Sequence, residues 1–188
     1  MIRIGILGDI GSGKSHIAKK FGYPVFNADT EVHKLYKNEI KIFHRLKKIL
    51  PKYINSFPID KNEISDAILT KNQNLKKIIN IVHQEIRKKL KNFLKKNKDR
   101  KIIILDIPLL LENKLNKKKD ILIFVQSSKI DILKRLKKRK NFNDKILNNF
   151  KRTQLSLVLK KKKSQFIIKN NFKNSVKVRV KEIMKNLV

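Results

Sequence analysis

Short apolar runs alternate along this chain with longer stretches in which apolar residues return every third or fourth position. The runs Ile2–Leu7, Pro24–Asn27, Ile102–Asp106, Ile121–Val125 and Phe166–Ile168 are dominated by apolar residues. Such runs read as strands buried on both faces of a parallel sheet. The helical patterns between them give the α/β signature of a parallel sheet covered on both sides. Residues 31 to 98 carry no strand pattern. Within them Leu75, Ile78, Ile79, Val82, Ile86, Leu90, Phe93 and Leu94 recur at helical spacing, which predicts one long amphipathic helix. Pro51 and Pro58 break the chain between shorter helices before it. Residues 134 to 163 combine Arg135, Arg139, Arg152 and the run Lys160–Lys163 with little apolar content. They predict a charged helical hairpin projecting from the sheet, with a merely solvated surface helix as the alternative.

The first apolar run feeds Gly8-Asp9-Ile10-Gly11-Ser12-Gly13-Lys14-Ser15, a full G-x-x-x-x-G-K-[ST] phosphate-binding loop. Its glycines permit φ > 0 and close backbone approach, so successive N–H groups can wrap an anion where the next helix begins. Lys14 would reach the β- and γ-phosphates of a nucleoside triphosphate, and the Ser15 hydroxyl would coordinate Mg²⁺. The chain has five glycines and none follows Gly22. That excludes the D-x-x-G switch of GTPases and the glycine-bearing signature of transporter ATPases. Asn116-Lys117-Lys118-Lys119-Asp120 has the wrong spacing for an N-K-x-D guanine motif. The lysine-rich hairpin instead suggests a kinase lid, which brings cations over a transferring phosphoryl group and excludes water.

At 188 residues and 40% hydrophobic content the chain suits one domain with inserted lobes. It has no cysteine, which excludes disulfides and thiolate metal sites. No signal peptide or apolar run of membrane-spanning length is visible, so the expectation is a cytoplasmic protein with no membrane partner. The net charge of +33 raises the question of nucleic acid. However, only eight of the 48 basic residues are Arg, the residue that specific base and bidentate phosphate recognition favour. The Lys are spread along most of the chain and not gathered in one stripe. The expectation is polyanion stickiness at low salt without a specific nucleic-acid partner.

Several further segments carry a family resemblance. Asn27-Ala28-Asp29 follows the second strand, and Val82-His83-Gln84-Glu85-Ile86-Arg87 lies on the long helix. Leu105-Asp106-Ile107-Pro108-Leu109-Leu110-Leu111-Glu112-Asn113 closes the third strand, and Arg139, Gln154 and Ile168-Lys169-Asn170 come late in the chain. With the loop, these resemble the motifs of the dephospho-coenzyme A kinase family along nearly the whole length. Some positions depart from that pattern. Asn27 replaces an Asp, Gln84 a Pro, His16 a Thr and Lys169 an Asp, while Leu157 and Lys160 stand where lid arginines are common.

The resemblance implies a P-loop kinase fold, with a five-stranded parallel sheet flanked by helices, a helical substrate lobe and a lid. The expected division is a core of about 1–30 and 100–188, an acceptor lobe of about 31–98 and a lid of about 137–163. It implies ATP- and Mg²⁺-dependent phosphorylation of the ribose 3′-hydroxyl of dephospho-CoA, giving CoA and ADP. The expected assembly is a monomer. The ATP site would comprise Gly8, Gly11, Ser12, Gly13, Lys14, Ser15, His16 and Asn170. Ser15 and Asp106 would serve the metal, and Asp29, His83, Arg87, Asp106, Pro108 and Leu109 the acceptor. Lys14, Asp29 and Arg139 would be the catalytic groups. Read from residue chemistry alone, Asp29 is either a group that accepts or positions the acceptor hydroxyl or an N-cap. Asp106 either holds Mg²⁺ through water or caps a turn. His83 is either a packed histidine or a substrate contact, and Arg139 either a lid cation or a solvated residue. A nucleoside or nucleotide kinase and a basic nucleic-acid-binding ATPase remain as alternatives.

Overall fold

The apolar runs become five strands in a computed structural model that describes residues 1–139 and 142–187. In chain order the described elements are β1 (Ile2–Gly8), α1 (Lys14–Lys20), β2 (Val25–Asn27), α2 (Ala28–Asn38), α3 (Ile40–Ile49), α4 (Lys61–Thr70) and α5 (Asn72–Lys96). They continue with β3 (Ile102–Asp106), β4 (Ile121–Gln126), α6 (Lys129–Lys137), α7 (Asp144–Arg152), α8 (Leu157–Lys162), β5 (Phe166–Lys169) and α9 (Lys177–Lys185). The strands form one sheet in the order β2-β3-β1-β4-β5, and every pairing is parallel.

The chain divides into two compact units. The first comprises Met1–Asn27, Asn97–Phe142 and Thr153–Val188, and the second Ala28–Lys96 and Asn143–Arg152. In the first unit β3 is buried along its whole length, as a central strand covered on both faces must be. One face of the sheet, with Ile4, Ile6, Ile104 and Ile123, packs on Ile17 and Ala18 of α1 and on Val180 and Ile183 of α9. Helix α8 packs on β1. Burying these branched side chains is the main stabilising contribution, roughly 1.5–3 kcal/mol each.

The structure differs from the sequence reading at Lys160. The run Lys160–Lys163 belongs to the predicted charged hairpin, yet Lys160 is fully buried while Lys161, Lys162 and Lys163 are exposed. Its ammonium lies 2.8 Å from Glu112 Oε1 and donates to Gln154 Oε1 at 2.8 Å. The four-residue run winds through one turn of α8, so one of its side chains must face inward. A carboxylate waiting there makes Lys tolerable at that position.

The described regular elements of the second unit are all helices. The predicted long helix is α5, whose Leu75, Ile78, Val82, Ile86 and Leu90 form the buried stripe. Helices α2, α3 and α4 pack on it, and α7 packs on α4. Pro51 and Pro58 fall in the connection between α3 and α4, as the sequence indicates.

Candidate active site

The β1–α1 turn carries the phosphate-binding motif. Gly8 closes the central strand, whose neighbours β3 and β4 lie on opposite sides of it. Open α/β sheets take ligands beyond the carboxyl ends of strands at such a switch in strand order. Gly8 and Gly13 have φ of 146° and 94°. A Cβ on Gly8 would stand 2.7 Å from the Val125 carbonyl oxygen, and one on Gly13 would collide with the Asn170 amide. Only glycine fits these two positions, and the resulting backbone can turn successive N–H groups toward an anion.

The loop is clamped from two later strands. Asn170 Nδ2 donates to the Ser12 carbonyl oxygen at 2.8 Å, and Ser127 Oγ donates to the same oxygen at 3.0 Å. Asn170 is thus a buried support of the loop, and Ser127, which sequence reasoning passed over, acts beside it. Ser12 is fully buried. Lys14 Nζ donates to the carbonyl oxygens of Asp9 at 2.8 Å and Gly8 at 3.3 Å, so its ammonium lies across its own loop. His16 is exposed on α1.

Asn27 and Asp106 are register partners at the ends of β2 and β3. Asn27 Nδ2 donates to Asp106 Oδ2, and also to Ser15 Oγ at 3.3 Å. One amide nitrogen therefore brings a helix hydroxyl and a buried strand-end carboxylate to a common point. Both are hard oxygen donors of the kind that hold Mg²⁺ together with nucleotide phosphates, so these residues fit the ion. Among the described residues no cluster of three or more His, Asp or Glu side chains could hold a metal by itself.

Pro108 and Leu109 lie half-buried in the turn after Asp106, and Leu110 is fully buried. Arg139 is exposed just beyond α6. The Arg135 guanidinium sits 4.6 Å over the Phe172 ring. Phe172 has a φ of 61° and packs beside Gly13. No local sequence signal pairs these two residues.

The second unit holds an open cleft of about 340 Å³, lined by α2 (Asp29, Val32, His33, Tyr36), α4 (Lys61, Ile64, Ser65, Ile68) and α7 (Ile146, Phe150). Its walls are mainly apolar with a few polar groups, the usual character of a ligand site. Burial pushes the Tyr36 phenol well above its ordinary pKa, so it stays protonated at physiological pH. Asp29 is exposed in the first turn of α2, which already begins at Ala28. It complements the helix dipole from there and does not occupy the cap position.

His83 and Arg87 stand one turn apart on α5, and neither lines this cleft. His83 is half-buried, and both burial and the charge of Arg87 hold its pKa below 6.5. Gln84 accepts from Arg45 Nη2 of α3 at 2.7 Å, so the residue standing in place of the proline ties two helices together.

No helix among the described residues is long and apolar enough to cross a membrane. A dephospho-CoA kinase from Wolbachia pipientis wMel is 36% identical over 190 residues, covering 98% of this chain and 97% of that protein. The crystal structure of TT1252 from Thermus thermophilus shares the fold with a TM-score of 0.77 at 24% identity, covering 100% of this chain and 98% of that one. A dephospho-CoA kinase from Campylobacter jejuni does so with a TM-score of 0.64 at 23% identity, covering 98% and 96%. The family model described as Dephospho-CoA kinase matches residues 2–175, and a glycine loop, strand-end Asp106 and D-x-P-L-L segment all in register leave one conclusion: the chain belongs to the dephospho-CoA kinase family.

Proposed function

We propose that this chain carries out its family's reaction, ATP-dependent phosphorylation of dephospho-CoA at the ribose 3′-hydroxyl, with the phosphate loop Gly8–Ser15 serving the nucleotide and Asp29 the acceptor. The carrying observation is the family match over residues 2–175, together with a loop whose glycines adopt the φ values such a motif needs. A kinase of this family uses ATP, and the product pair is CoA and ADP.

In this reading the loop N–H groups and the Lys14 ammonium stabilise the charge that develops on the equatorial phosphoryl oxygens. To do so Lys14 exchanges its loop carbonyl partners for phosphate oxygens. Ser15 and Asp106 would hold Mg²⁺, which supplies charge neutralisation at the phosphates. Asn170 and Ser127 fix the loop so that its donors need little reorganisation, with Gly11, Ser12, Gly13 and His16 completing the nucleotide side.

Asp29 positions the acceptor hydroxyl and takes its proton as the new O–P bond forms. The cleft that Asp29 shares with Tyr36 and Phe150 suits the acceptor, because its apolar walls can take the uncharged parts of a long ligand. Arg87 is assigned to an anionic group of the acceptor, His83 to the helix surface beside Arg87, and Pro108 and Leu109 to acceptor binding. Arg139 is assigned to the transferred charge. Every assigned group comes from one chain, so a monomer suffices, and the partners are free small molecules in the cytoplasm. The test is ATP turnover with dephospho-CoA, nucleosides, nucleoside monophosphates or DNA as the added partner. Stimulation by dephospho-CoA alone supports the reading, and stimulation by any other partner in its place rejects it.

A further inference from the structure

Ser15 of α1 and the strand-end residues Asn27 and Asp106 are joined through one amide nitrogen. Asp106 is buried, 2% exposed, at the end of β3, and its register partner on β2 is not a second acid but Asn27. The Asn27 amide nitrogen donates both to Asp106 Oδ2 and to Ser15 Oγ. An N–H donor thus stands where the two oxygens converge, in the place that a cation would otherwise take. A neutral amide satisfies both oxygens without adding charge. An Asp at the same position, which the family pattern carries, would instead set two carboxylates side by side, an arrangement that repels unless a cation lies between them.

We propose that Asn27 is a positioning residue that stands in for the cation, holding Ser15 Oγ and Asp106 Oδ2 together while no ion is bound. The site is then ordered before nucleotide arrives, and the Asn27–Asp106 register pair offers a free divalent ion one carboxylate instead of two. Ser15 Oγ and Asp106 Oδ2 would hold Mg²⁺ together with nucleotide phosphate oxygens, and the ion would supply the charge neutralisation that the amide does not. This inference rests on the kinase reading for its purpose, but its test needs neither nucleotide nor turnover.

The experiment follows Mn²⁺ binding to nucleotide-free protein, by loss of the free-ion electron paramagnetic resonance signal. Thermal melting is followed in parallel, in chelator and in excess Mn²⁺. Wild type should bind free Mn²⁺ weakly and melt at nearly the same temperature with and without it. Asn27→Asp should bind Mn²⁺ at least about tenfold more tightly, because it adds a second full charge beside the ion. It should also melt lower than wild type in chelator and recover when Mn²⁺ is added. The exchanged pair Asn27→Asp/Asp106→Asn restores one acid and one amide in register. It should return both the chelator stability and the weak Mn²⁺ affinity, which also covers an Asn27→Asp protein that folds only with the ion. Asn27→Ala should raise the KM for Mg·ATP more than it lowers kcat, with no gain in Mn²⁺ affinity. Equal Mn²⁺ affinity of wild type and Asn27→Asp would overturn the proposal, as would an Asn27→Asp protein fully stable in chelator. Failure of dephospho-CoA to stimulate turnover would sink the kinase reading and leave the ion result untouched.

Discussion

Lys160 Nζ lies 2.8 Å from Glu112 Oε1, with the two side chains only 1% and 11% exposed. Glu112 Oε1 also accepts from the Leu155 amide at 2.9 Å, so the pair ties α8 and the chain entering it to the turn after β3. That turn begins at Asp106. A buried pair of this kind gives little net stability over apolar residues, but removing one partner leaves an uncompensated buried charge. Lys160→Met should therefore destabilise the protein by about 3–5 kcal/mol in denaturant unfolding, whereas Lys160→Met/Glu112→Leu should recover most of that loss. A single variant as stable as wild type would remove the pair from any structural role.

Lys14→Ala should lower turnover by about 10²–10³ with the fold intact, since one preorganised charge at a transition state is worth about that much. The Lys14 ammonium donates to loop carbonyl oxygens outside the apolar core, so the variant should keep its fold. A circular dichroism melt matching wild type, alongside steady-state kinetics, checks both halves. Retention of a third of the activity would place the chemistry elsewhere.

Asp29→Asn keeps the shape of the side chain and removes the carboxylate. If Asp29 takes the acceptor proton, kcat should fall by roughly 10²–10⁴ with ATP binding little changed. The lost helix-dipole contribution, about 0.3–1 kcal/mol of stability, is too small to mimic that effect. Near-wild-type turnover in the variant would end the catalytic assignment.

The sheet was legible because parallel strands buried on both faces leave continuous apolar runs, and β3 and β4 show this most plainly. The loop was legible because its backbone demands glycine at Gly8 and Gly13, and glycine is visible in a sequence. Lys160 was not legible, since four consecutive lysines look alike until the helical turn chooses which one faces Glu112. Nor were the Ser127 clamp, the Arg135–Phe172 stack or the cleft that α7 completes with α2 and α4. Each joins residues far apart in the chain, so no local pattern announces it. The Asn27 bridge falls between these cases. Its position was visible as a departure from a pattern, but its two hydrogen bonds depend on strand register.

His83 supplies a pH dependence with a definite sign. Its folded pKa lies below 6.5 because burial and Arg87 disfavour the imidazolium. The unfolded chain therefore binds more protons than the folded one just below pH 6.5, and stability falls as pH drops through that window. The contribution is fully present above pH 6.5. His83→Gln should flatten the pH dependence of the melting temperature between roughly pH 5 and 7, and leave the value above pH 7 little altered. An identical slope in wild type and variant would show that the ring is equally solvated in both states.

The charge of +33 allows a last separation, between what the surface attracts and what the site does. Counterion release makes nonspecific affinity for DNA fall with a log–log slope near −0.9 per phosphate contact, so binding through scattered lysines should collapse by about 200 mM salt. In the proposed reading phosphoryl transfer uses Lys14 and a clamped loop, which salt screens far less than exposed charges. Dephospho-CoA phosphorylation should weaken only modestly over the same range, chiefly through slower steering of two anionic substrates. The two activities can be titrated with salt in parallel, with and without DNA present. Turnover that requires DNA, or sequence-selective DNA binding persisting at about 200 mM salt, would make the lysines part of the function. Loss of DNA binding while turnover persists assigns them to the surface alone.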